Sequence, residues 1–531
     1  MRFYQWKVSS RRVALMIVSA AAFASAAANA DDSVVLTTQG TVKGTVTSTN
    51  RSFLGIPYAT PPTGNLRWKA PQAPAAWTGT RSATTAGNVC PQQGFNSDGT
   101  VSTRGAEDCL YINVYTPYPV SPAKLPVMVW IHGGAFVGGS GSDYDPSVLA
   151  TKANAVVVTL NYRLGALGFL AHPALTSESK DSSGNFGLLD QQRAIGWVKT
   201  NIANFGGDTT RTTIFGESAG GASVLANVIS PKAANLFQRA IIESGSGFGF
   251  TALATAEAAG KTFAANVGCT DPTSAAAACL RSVSLSSIVA NGGTSSVGGS
   301  GLAALAWTPT VGGAVLPNTP KGAFAAGSYN KVPILQGSNH DEGRLFAAFN
   351  YDLAGNPLTA SSYQALVNQA FGASASSVLA QYPSSNYSSP SLAYATLFTD
   401  GVFACPGRTN NRAVSAAVNT FAYEFNDTNA PANFSDPYFA LGAYHGAEVQ
   451  YIFQATNTSS FTSAQLALSN QMIKYWANFA AGANPNAAGL PTWAKYSNAA
   501  DQVLSFTPSS TAPIGTFSAD HKCAFWATLG Y

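Results

Sequence analysis

The sequence predicts an α/β fold in which helices cover both faces of a large, mostly parallel central sheet, with a small antiparallel part near the N-terminus. The chain has 531 residues, of which 46% are apolar and 10% charged, so it can bury a large core. Short apolar runs recur between long stretches of helical character, and strands joined by long crossovers lie parallel in one sheet. We expect residues 31–531 to form one domain.

Six runs are short enough for strands buried on both faces, and they are apolar and rich in β-branched residues. They are 127–131, 155–160, 212–215, 240–242, 333–335 and 421–425. The segment 33–47 instead alternates and carries Gly40 and Gly44, which favours antiparallel hairpin strands at a sheet edge.

The first thirty residues predict a secretory signal. A charged segment ends in Arg11-Arg12, an apolar run covers about 13–24, and the small residues Ala28-Asn29-Ala30 follow. This run is too short and too rich in alanine for a membrane anchor. We therefore expect export to the periplasm or the medium without a stable membrane anchor. Ser10-Arg11-Arg12 partly fits a twin-arginine signal, so the sequence leaves the export route open.

The charges beyond this segment are balanced. Four of the 29 Lys and Arg residues lie in the first thirty positions, which leaves 25 bases against 25 acids. Balanced charge argues against a nucleic-acid-binding protein and against adsorption to anionic lipid.

The segment Gly216-Glu217-Ser218-Ala219-Gly220 has the pattern Gly-x-Ser-x-Gly, and its surroundings strengthen the signal. The run 212–215 predicts a strand entering the motif, and 219–228 predicts a helix leaving it. A serine on so sharp a turn depends on flanking glycines and projects its hydroxyl above the sheet edge. That position suits a nucleophile; the alternative is an ordinary serine in a glycine-rich turn.

A serine hydroxyl needs a base near neutral pH, and imidazole fits best. The chain order nucleophile, acid, histidine leaves His445 and His521 among the five histidines. His445 stands in a loop after the run 421–425 and is the expected base. His521 has no such setting and neighbours Cys523, so we expect it on the surface.

The acid that orients His445 should follow another strand. Residues 337–343 follow the run 333–335 and contain both Asp341 and Glu342. Spacing does not decide between these two carboxyl groups.

Acyl transfer also places negative charge on the carbonyl oxygen, which fixed backbone N–H groups stabilise. The loop His132-Gly133-Gly134-Ala135-Phe136 follows the run 127–131 and frees such donors. Ala219, directly after Ser218, offers another.

Six cysteines in an exported chain favour three disulfides over metal ligands, because no Cys-x-x-Cys and no Cys/His cluster occurs at zinc spacing. Nearest-neighbour pairing gives Cys90–Cys109, Cys269–Cys279 and Cys405–Cys523. Spacing alone cannot choose among the possible pairings.

With these motifs the chain resembles the type B carboxylesterases, a family of α/β-hydrolases that includes the cholinesterases and the bacterial p-nitrobenzyl esterases. The resemblance covers nearly all of residues 31–531 and rests on eight motifs in the family's order. They are Phe53-Leu-Gly-Ile-Pro-Tyr-Ala, Glu107-Asp-Cys-Leu-Tyr-Ile-Asn-Val, the loop 133–136, Asn161-Tyr-Arg-Leu-Gly-Ala-Leu-Gly-Phe, Gly187-Leu-Leu-Asp-Gln, Phe215-Gly-Glu-Ser-Ala-Gly, Asp341-Glu-Gly and His445-Gly-Ala-Glu.

The resemblance implies an α/β-hydrolase fold and a catalytic triad of Ser218, Glu342 and His445, so that the acid would be Glu342 rather than Asp341. It further implies oxyanion donors, positions that line or support the triad, three disulfides and two structural salt bridges. The oxyanion donors would be Gly134, Ala135 and Ala219, and the lining or supporting positions would be Gly133, Glu217 and Ser244. The disulfides would be the three cysteine pairs given above, and the salt bridges would be Arg67–Glu107 and Arg163–Asp190. Ala135 stands where the family usually has a third glycine.

The resemblance therefore predicts an exported serine esterase that cleaves a small-molecule or polymeric ester through an acyl-enzyme, without a metal or organic cofactor. Cholinesterases place a tryptophan inside the first disulfide loop, where its ring attracts a quaternary ammonium group. Residues 91–108 contain Phe95 but no tryptophan, so a choline ester is not the expected substrate. The alternatives are a non-catalytic binding module on the same fold and a lipase acting at an oil–water interface.

Overall fold

The computed structural model describes residue 1 and residues 31–96, 100–179, 183–271, 273–293, 305–454 and 460–530. Apart from Met1, the predicted signal segment 1–30 lies outside these residues. Across the described ranges, no helix is both long enough and apolar enough to cross a membrane.

The described residues form eighteen strands, most of them short. In chain order they are β1 (Val34–Thr37), β2 (Gly40–Lys43), β3 (Thr45–Val46), β4 (Asn50–Pro57), β5 (Thr80–Ser82), β6 (Gln92–Phe95), β7 (Val101–Arg104), β8 (Tyr111–Pro117), β9 (Leu125–Ile131), β10 (Val156–Leu160), β11 (Gly207–Glu217), β12 (Arg239–Glu243), β13 (Thr251–Ala252), β14 (Thr310–Val311), β15 (Ile334–Asn339), β16 (Thr420–Phe425), β17 (Val503–Phe506) and β18 (Thr511–Ile514).

The central sheet has eleven strands in the order β18-β17-β16-β15-β12-β11-β9-β10-β8-β4-β3. The six strands predicted as buried runs are neighbours at its centre, and all of them pair in parallel. Antiparallel strands lie at both ends of the sheet. The predicted mostly parallel α/β fold is confirmed, although β11 begins five residues earlier than predicted, with a bulge between Gly207 and Thr212.

The N-terminal segment forms the predicted hairpin, but most of it lies outside the central sheet. Strands β1 and β2 pair antiparallel and form a separate three-stranded sheet with β5. Only β3, at the end of the segment 33–47, reaches the edge of the central sheet. The expected antiparallel pairing at a sheet edge is therefore present, with β1 at the edge of the small sheet and β3 at the edge of the central sheet.

The described residues form eighteen α-helices, some of which cover the two faces of the central sheet. They are α1 (Ser147–Ala153), α2 (Gly165–Phe169), α3 (Pro173–Glu178), α4 (Phe186–Asn201), α5 (Ala219–Ile229), α6 (Leu253–Asn266), α7 (Ala275–Ser282), α8 (Leu285–Asn291), α9 (Pro320–Ala325), α10 (Gly343–Ala347), α11 (Ala360–Phe371), α12 (Ala375–Gln381), α13 (Pro390–Phe398), α14 (Cys405–Val414), α15 (Val449–Phe453), α16 (Ser463–Gly482), α17 (Phe517–Asp520) and α18 (Cys523–Thr528). Two π-helical turns, Ala348–Asp352 and Thr399–Ala404, continue α10 and α13.

Strand β9 shows why the central runs are apolar throughout. Val127 and Val129 pack into the core on one face of the sheet, which α5 also lines. Met128 and Trp130 point to the other face and pack into the core that α16 covers. Because successive side chains alternate between two buried faces, every position of the strand favours an apolar residue.

Covalent and ionic links fix the loops around this sheet. The structure has disulfides between Cys90 and Cys109, between Cys269 and Cys279, and between Cys405 and Cys523. It also has both salt bridges that the family resemblance implies, Arg67–Glu107 at 2.6 Å and Arg163–Asp190 at 2.7 Å.

Candidate active site

The loops that carry the predicted site residues leave the same edge of the sheet. Strands β9, β11, β12, β15 and β16 are parallel, so their carboxyl ends meet there. In open α/β sheets, ligands bind outside the carboxyl ends of the strands. The loops after β9, β11, β15 and β16 bring in Gly133, Ser218, Glu342 and His445, respectively.

Ser218 lies on the sharp turn between β11 and α5. Its backbone has a positive φ angle, at φ 59° and ψ −125°, a conformation that residues other than glycine rarely adopt. Its N–H donates to the carbonyl oxygen of Glu243 at 3.0 Å, which ties the strained residue to β12. A Cβ at Gly220 would lie 2.0 Å from the carbonyl oxygen of Ile131, so only glycine lets α5 approach β9 this closely.

His445 connects Ser218 to Glu342. Its Nε2 lies 2.8 Å from Oγ of Ser218, and its Nδ1 lies 2.5 Å from Oε2 of Glu342. Oε1 of Glu342 accepts the N–H of Asn339 at 2.8 Å, which fixes the carboxylate. The side chains of Ser218, His445 and Glu342 are all buried. A hydroxyl, an imidazole and a carboxylate in this order can move a proton from the hydroxyl to the imidazole.

The structure separates the two candidate acids that spacing left open. Asp341 turns away from His445: its Oδ2 accepts the N–H of Ala443 at 3.0 Å, and its Oδ1 lies 2.7 Å from Nη2 of Arg344. Glu342 is the carboxylate that contacts the imidazole. Asp341 instead ties its own loop to the loop that carries His445.

Two phenyl rings hold the imidazole from its sides. The ring centroids of Phe346 and Phe403 each lie 4.9 Å from that of His445. Phe346 comes from α10 and Phe403 from the second π-helical turn. Sequence reasoning missed both, because neither residue belongs to a motif and a packing contact leaves no local pattern.

The backbone around the glycine loop exposes the expected donors. Gly134 and Ala135 have positive φ angles of 102° and 53°, which turn the loop towards Ser218. Among the described residues, the N–H groups of Gly134, Ala135 and Ala219 have no protein acceptor. Such free donors at the carboxyl ends of β9 and β11 can bind an oxyanion.

The three residues expected to line or support the triad occupy different places. Glu217 lines the cavity, with Oε1 at 3.2 Å from Nε2 of His445. Gly133 also lines it, and a Cβ there would lie 3.1 Å from Cβ of Ser218. Ser244 lies behind the turn, where its N–H donates to Gly337 and its Oγ is 3.5 Å from Glu448.

Three further carboxyl groups, Glu217, Glu243 and Glu448, are buried near the triad. Burial, followed by the charges of Glu342 and Glu243, raises the pKa of Glu217 well above its usual value. Burial raises the pKa of Glu243 to about 8, and burial followed by the charge of Glu217 raises the pKa of Glu448. The raised pKa values of these three groups favour their uncharged forms, and the carboxyl group in contact with Nδ1 of His445 is that of Glu342.

A cavity of about 590 Å³ opens onto Ser218. Its walls are mainly apolar, and they include Leu164, Leu167, Phe248, Leu345 and Phe346. Gln92, Gln93 and Asn350 add uncharged polar groups, and the described lining contains no lysine, arginine or aspartate. Such a cavity suits an uncharged, largely apolar ligand.

The expectation that His521 lies on the surface was wrong. Its side chain is 4% exposed, and its two ring nitrogens lie 2.7 Å from Oδ1 of Asp400 and 2.7 Å from Oε1 of Glu424. Burial opposes the charged imidazole, but hydrogen bonds with the two carboxylates outweigh it and raise the pKa of His521 to about 10. These partners lie about a hundred residues away in the chain, so the neighbourhood of His521 in the sequence gave no sign of them.

Comparison with known proteins identifies the family. A model of the carboxylesterase family matches residues 31–526. This chain belongs to the carboxylesterase family. The chain is 35% identical over 500 residues to fumonisin B1 esterase from Sphingopyxis macrogoltabida, a match that covers 90% of this carboxylesterase and 88% of that protein.

Two further relatives extend the comparison. Para-nitrobenzyl esterase from Bacillus subtilis (strain 168) is 35% identical over 480 residues, which cover 87% of this carboxylesterase and 92% of that protein. A solved structure of PNB esterase superposes with a TM-score of 0.79 at 32% identity, over 93% of this carboxylesterase and 100% of that chain. The predicted family, the α/β-hydrolase fold and the class of enzyme, a serine hydrolase of carboxylic esters, are confirmed.

Proposed function

We propose that this carboxylesterase cleaves its ester through an acyl-enzyme on Ser218, with His445 as general base and Glu342 as the residue that orients it. The observation that carries the proposal is the pair of contacts made by one imidazole, 2.8 Å to Oγ of Ser218 and 2.5 Å to Oε2 of Glu342. Hydrogen bonding to Glu342 favours the proton on Nδ1, which leaves Nε2 free to accept the hydroxyl proton.

Acylation begins when Oγ of Ser218 attacks the carbonyl carbon of the ester and its proton moves to Nε2 of His445. The carbonyl oxygen becomes an oxyanion, and the N–H groups of Gly134, Ala135 and Ala219 are the donors that would stabilise it. The carbon–oxygen bond to the alcohol then breaks, and the alcohol leaves with the proton from Nε2.

Deacylation repeats these steps with water. Nε2 of His445 takes a proton from a water molecule, whose oxygen attacks the acyl carbon. The oxyanion forms at the same donors and collapses, which breaks the bond to Ser218. Oγ regains the proton from Nε2, and the carboxylic acid is released.

The cavity supports an uncharged, mainly apolar ester as substrate. A cationic alcohol would meet Glu217, whose raised pKa disfavours the negative charge that could bind it. An anionic acyl group would meet no lysine or arginine in the described lining. Either ion would lose its hydration without a partner, so both are disfavoured.

Export is part of the proposal. The leader-like residues 1–30 supply the signal, and three disulfides suit an oxidising compartment such as the periplasm or the medium. Finding the chain uncleaved in the cytoplasm of its own host, with its cysteines reduced, would contradict this part.

Turnover of p-nitrophenyl acetate by the Ser218→Ala variant tests the proposal. We expect kcat to fall by about 10⁴-fold or more, because no attacking oxygen remains. Ser142→Ala, at an exposed serine outside the cavity lining, is the matched control and should retain normal turnover. Near-normal activity of Ser218→Ala, or no activity in the unmodified protein, would refute the proposed mechanism, and the second result would favour a binding module.

A further inference from the structure

A second cluster of reactive side chains lies near the triad but outside the substrate cavity. His340 follows β15, Glu424 belongs to β16, and His521 lies between α17 and α18. One ring nitrogen of each histidine and a carboxylate oxygen of Glu424 all lie within 4.8 Å of one another. The proposed esterase mechanism uses none of these three residues.

Both histidines are oriented by a carboxylate on the same ring atom. Nδ1 of His521 lies 2.7 Å from Oδ1 of Asp400, and Nδ1 of His340 lies 3.2 Å from Oδ1 of Asp341. Histidines that bind a metal nearly always donate their other ring N–H to a carboxylate or carbonyl group in this way. The pattern therefore leaves Nε2 of each histidine as the ligand atom.

The orienting carboxylates are themselves fixed. Oδ2 of Asp400 accepts the hydroxyl of Tyr382 at 2.7 Å, and that hydroxyl accepts the indole N–H of Trp526 at 2.8 Å. Asp341 is held by the N–H of Ala443 and by Arg344. The two carboxylates therefore hold the imidazole rings in a defined orientation before any ligand binds.

Space and access are present beside the cluster. A cavity of about 110 Å³ is lined by two of the three residues, His340 and His521, together with Asp341, Asp400 and Arg344. This volume exceeds the roughly 30 Å³ that one water molecule occupies in the liquid, so an ion and bound water fit. The His340 side chain is 38% exposed and that of His521 only 4%, so the open side of the site faces solvent through His340.

Two of the ligand atoms already face each other, because Nε2 of His521 lies 2.7 Å from Oε1 of Glu424. A divalent cation bound by both atoms would require only a small separation of the pair, since zinc sits about 2.0–2.2 Å from each ligand. His340, the exposed ligand, would complete the site by a small shift that keeps its Nδ1 beside Asp341.

We propose that His340, Glu424 and His521 form a Zn²⁺ site in which Asp341 and Asp400 hold the two histidines. Two imidazole nitrogens and one carboxylate oxygen form a ligand set that zinc prefers over calcium or magnesium, with water in the remaining position. The site connects the loop that carries Glu342 with the C-terminal segment that the Cys405–Cys523 disulfide also anchors. Its role is structural, because it stabilises the position of that loop.

Two measurements test the site: calorimetric titration with Zn²⁺ of protein dialysed against a chelator, and the zinc content of the same protein after zinc has been added and the excess dialysed away. We expect about one zinc per chain and a higher unfolding temperature with zinc. His340→Ala removes the exposed ligand without opening the core, and Glu424→Gln keeps a hydrogen-bond acceptor for His521 but removes the charge. Each variant should weaken zinc binding at least about tenfold, while Asp520→Asn, at the same cavity, should bind as the unmodified protein does.

Three results would overturn the site. The first is no zinc bound at micromolar concentrations by the folded protein. The second is unchanged zinc affinity in His340→Ala and Glu424→Gln. The third is calcium binding as tight as zinc binding, which would indicate a plain carboxylate cluster. Circular dichroism of each variant shows that it is folded before its affinity is compared.

Discussion

Replacing Glu342 with glutamine isolates the charge beside His445 with little change in shape. Asn339 donates its N–H to Oε1 of Glu342, so the amide oxygen of glutamine keeps that position and its NH₂ group faces Nδ1 of His445. An NH₂ group donates a hydrogen bond, and it therefore favours the tautomer with the proton on Nε2. That nitrogen lies 2.8 Å from Oγ of Ser218 and can no longer accept its proton.

The expected loss combines this wrong tautomer with a charged imidazole that lacks its buried counter-ion. In serine hydrolases the equivalent acid-to-amide change costs about 10⁴-fold in kcat, or roughly 5 kcal/mol. Asp341→Asn is the matched control at the adjacent residue. Asparagine still accepts the N–H of Ala443 and loses the charged contacts of Oδ1 with Arg344, which is 25% exposed, and with His340. Neither of these residues touches the triad, so we expect less than about a fivefold change.

The assay is kcat for p-nitrophenyl acetate in both variants, with the denaturant midpoint measured beside it to separate activity from stability. A Glu342→Gln enzyme within about tenfold of the unmodified protein would refute the assigned role. An Asp341→Asn enzyme as inactive as Glu342→Gln would refute the distinction between the two acids.

Three further predictions concern stability. The pKa of His521 is raised to about 10 in the folded protein, so its contribution to the unfolding free energy is complete below about pH 6.5 and is lost as the pH rises towards 10. Urea titrations of the unmodified protein and of His521→Asn measure this contribution as the difference between their unfolding free energies. That difference should shrink by up to about 4 kcal/mol between these two pH values. Gly220→Ala places a Cβ 2.0 Å from a carbonyl oxygen of β9 and should lower the unfolding free energy by more than about 3 kcal/mol. Gly196→Ala, with open space around it, should leave the stability unchanged or raise it, and thermal melts of both variants measure the difference. Replacing Cys405 and Cys523 by serine opens a link across 118 residues and should lower the unfolding free energy by about 3–5 kcal/mol; an unchanged urea midpoint would contradict this.

The fold could be predicted because its signal is local. Strand β9 is apolar at every position because both of its faces are buried, and the same holds for its parallel neighbours. The turn at Ser218 carries its own pattern, since the close approach of α5 to β9 requires Gly220. Motifs of this kind placed the strands, the turn and the glycine loop directly from the sequence.

Contacts between distant segments could not be predicted in the same way. Asp341 and Glu342 are adjacent, and their different directions depend on the N–H groups of Ala443 and Asn339. The burial of His521 depends on carboxylates about a hundred residues away, although nothing beside it in the chain is unusual. For the same reason, cysteine and histidine spacing gave no sign of the proposed zinc site, whose three ligands come from separate parts of the chain.

The most direct test of the proposed mechanism is mass spectrometry of the protein quenched in acid during turnover of a slowly deacylating p-nitrophenyl ester. The mechanism predicts that the mass rises by one acyl group, on the peptide that contains Ser218, and that Ser218→Ala shows no increase. An acyl group on any other residue, or ester hydrolysis without a covalent adduct when deacylation is rate-limiting, would contradict it.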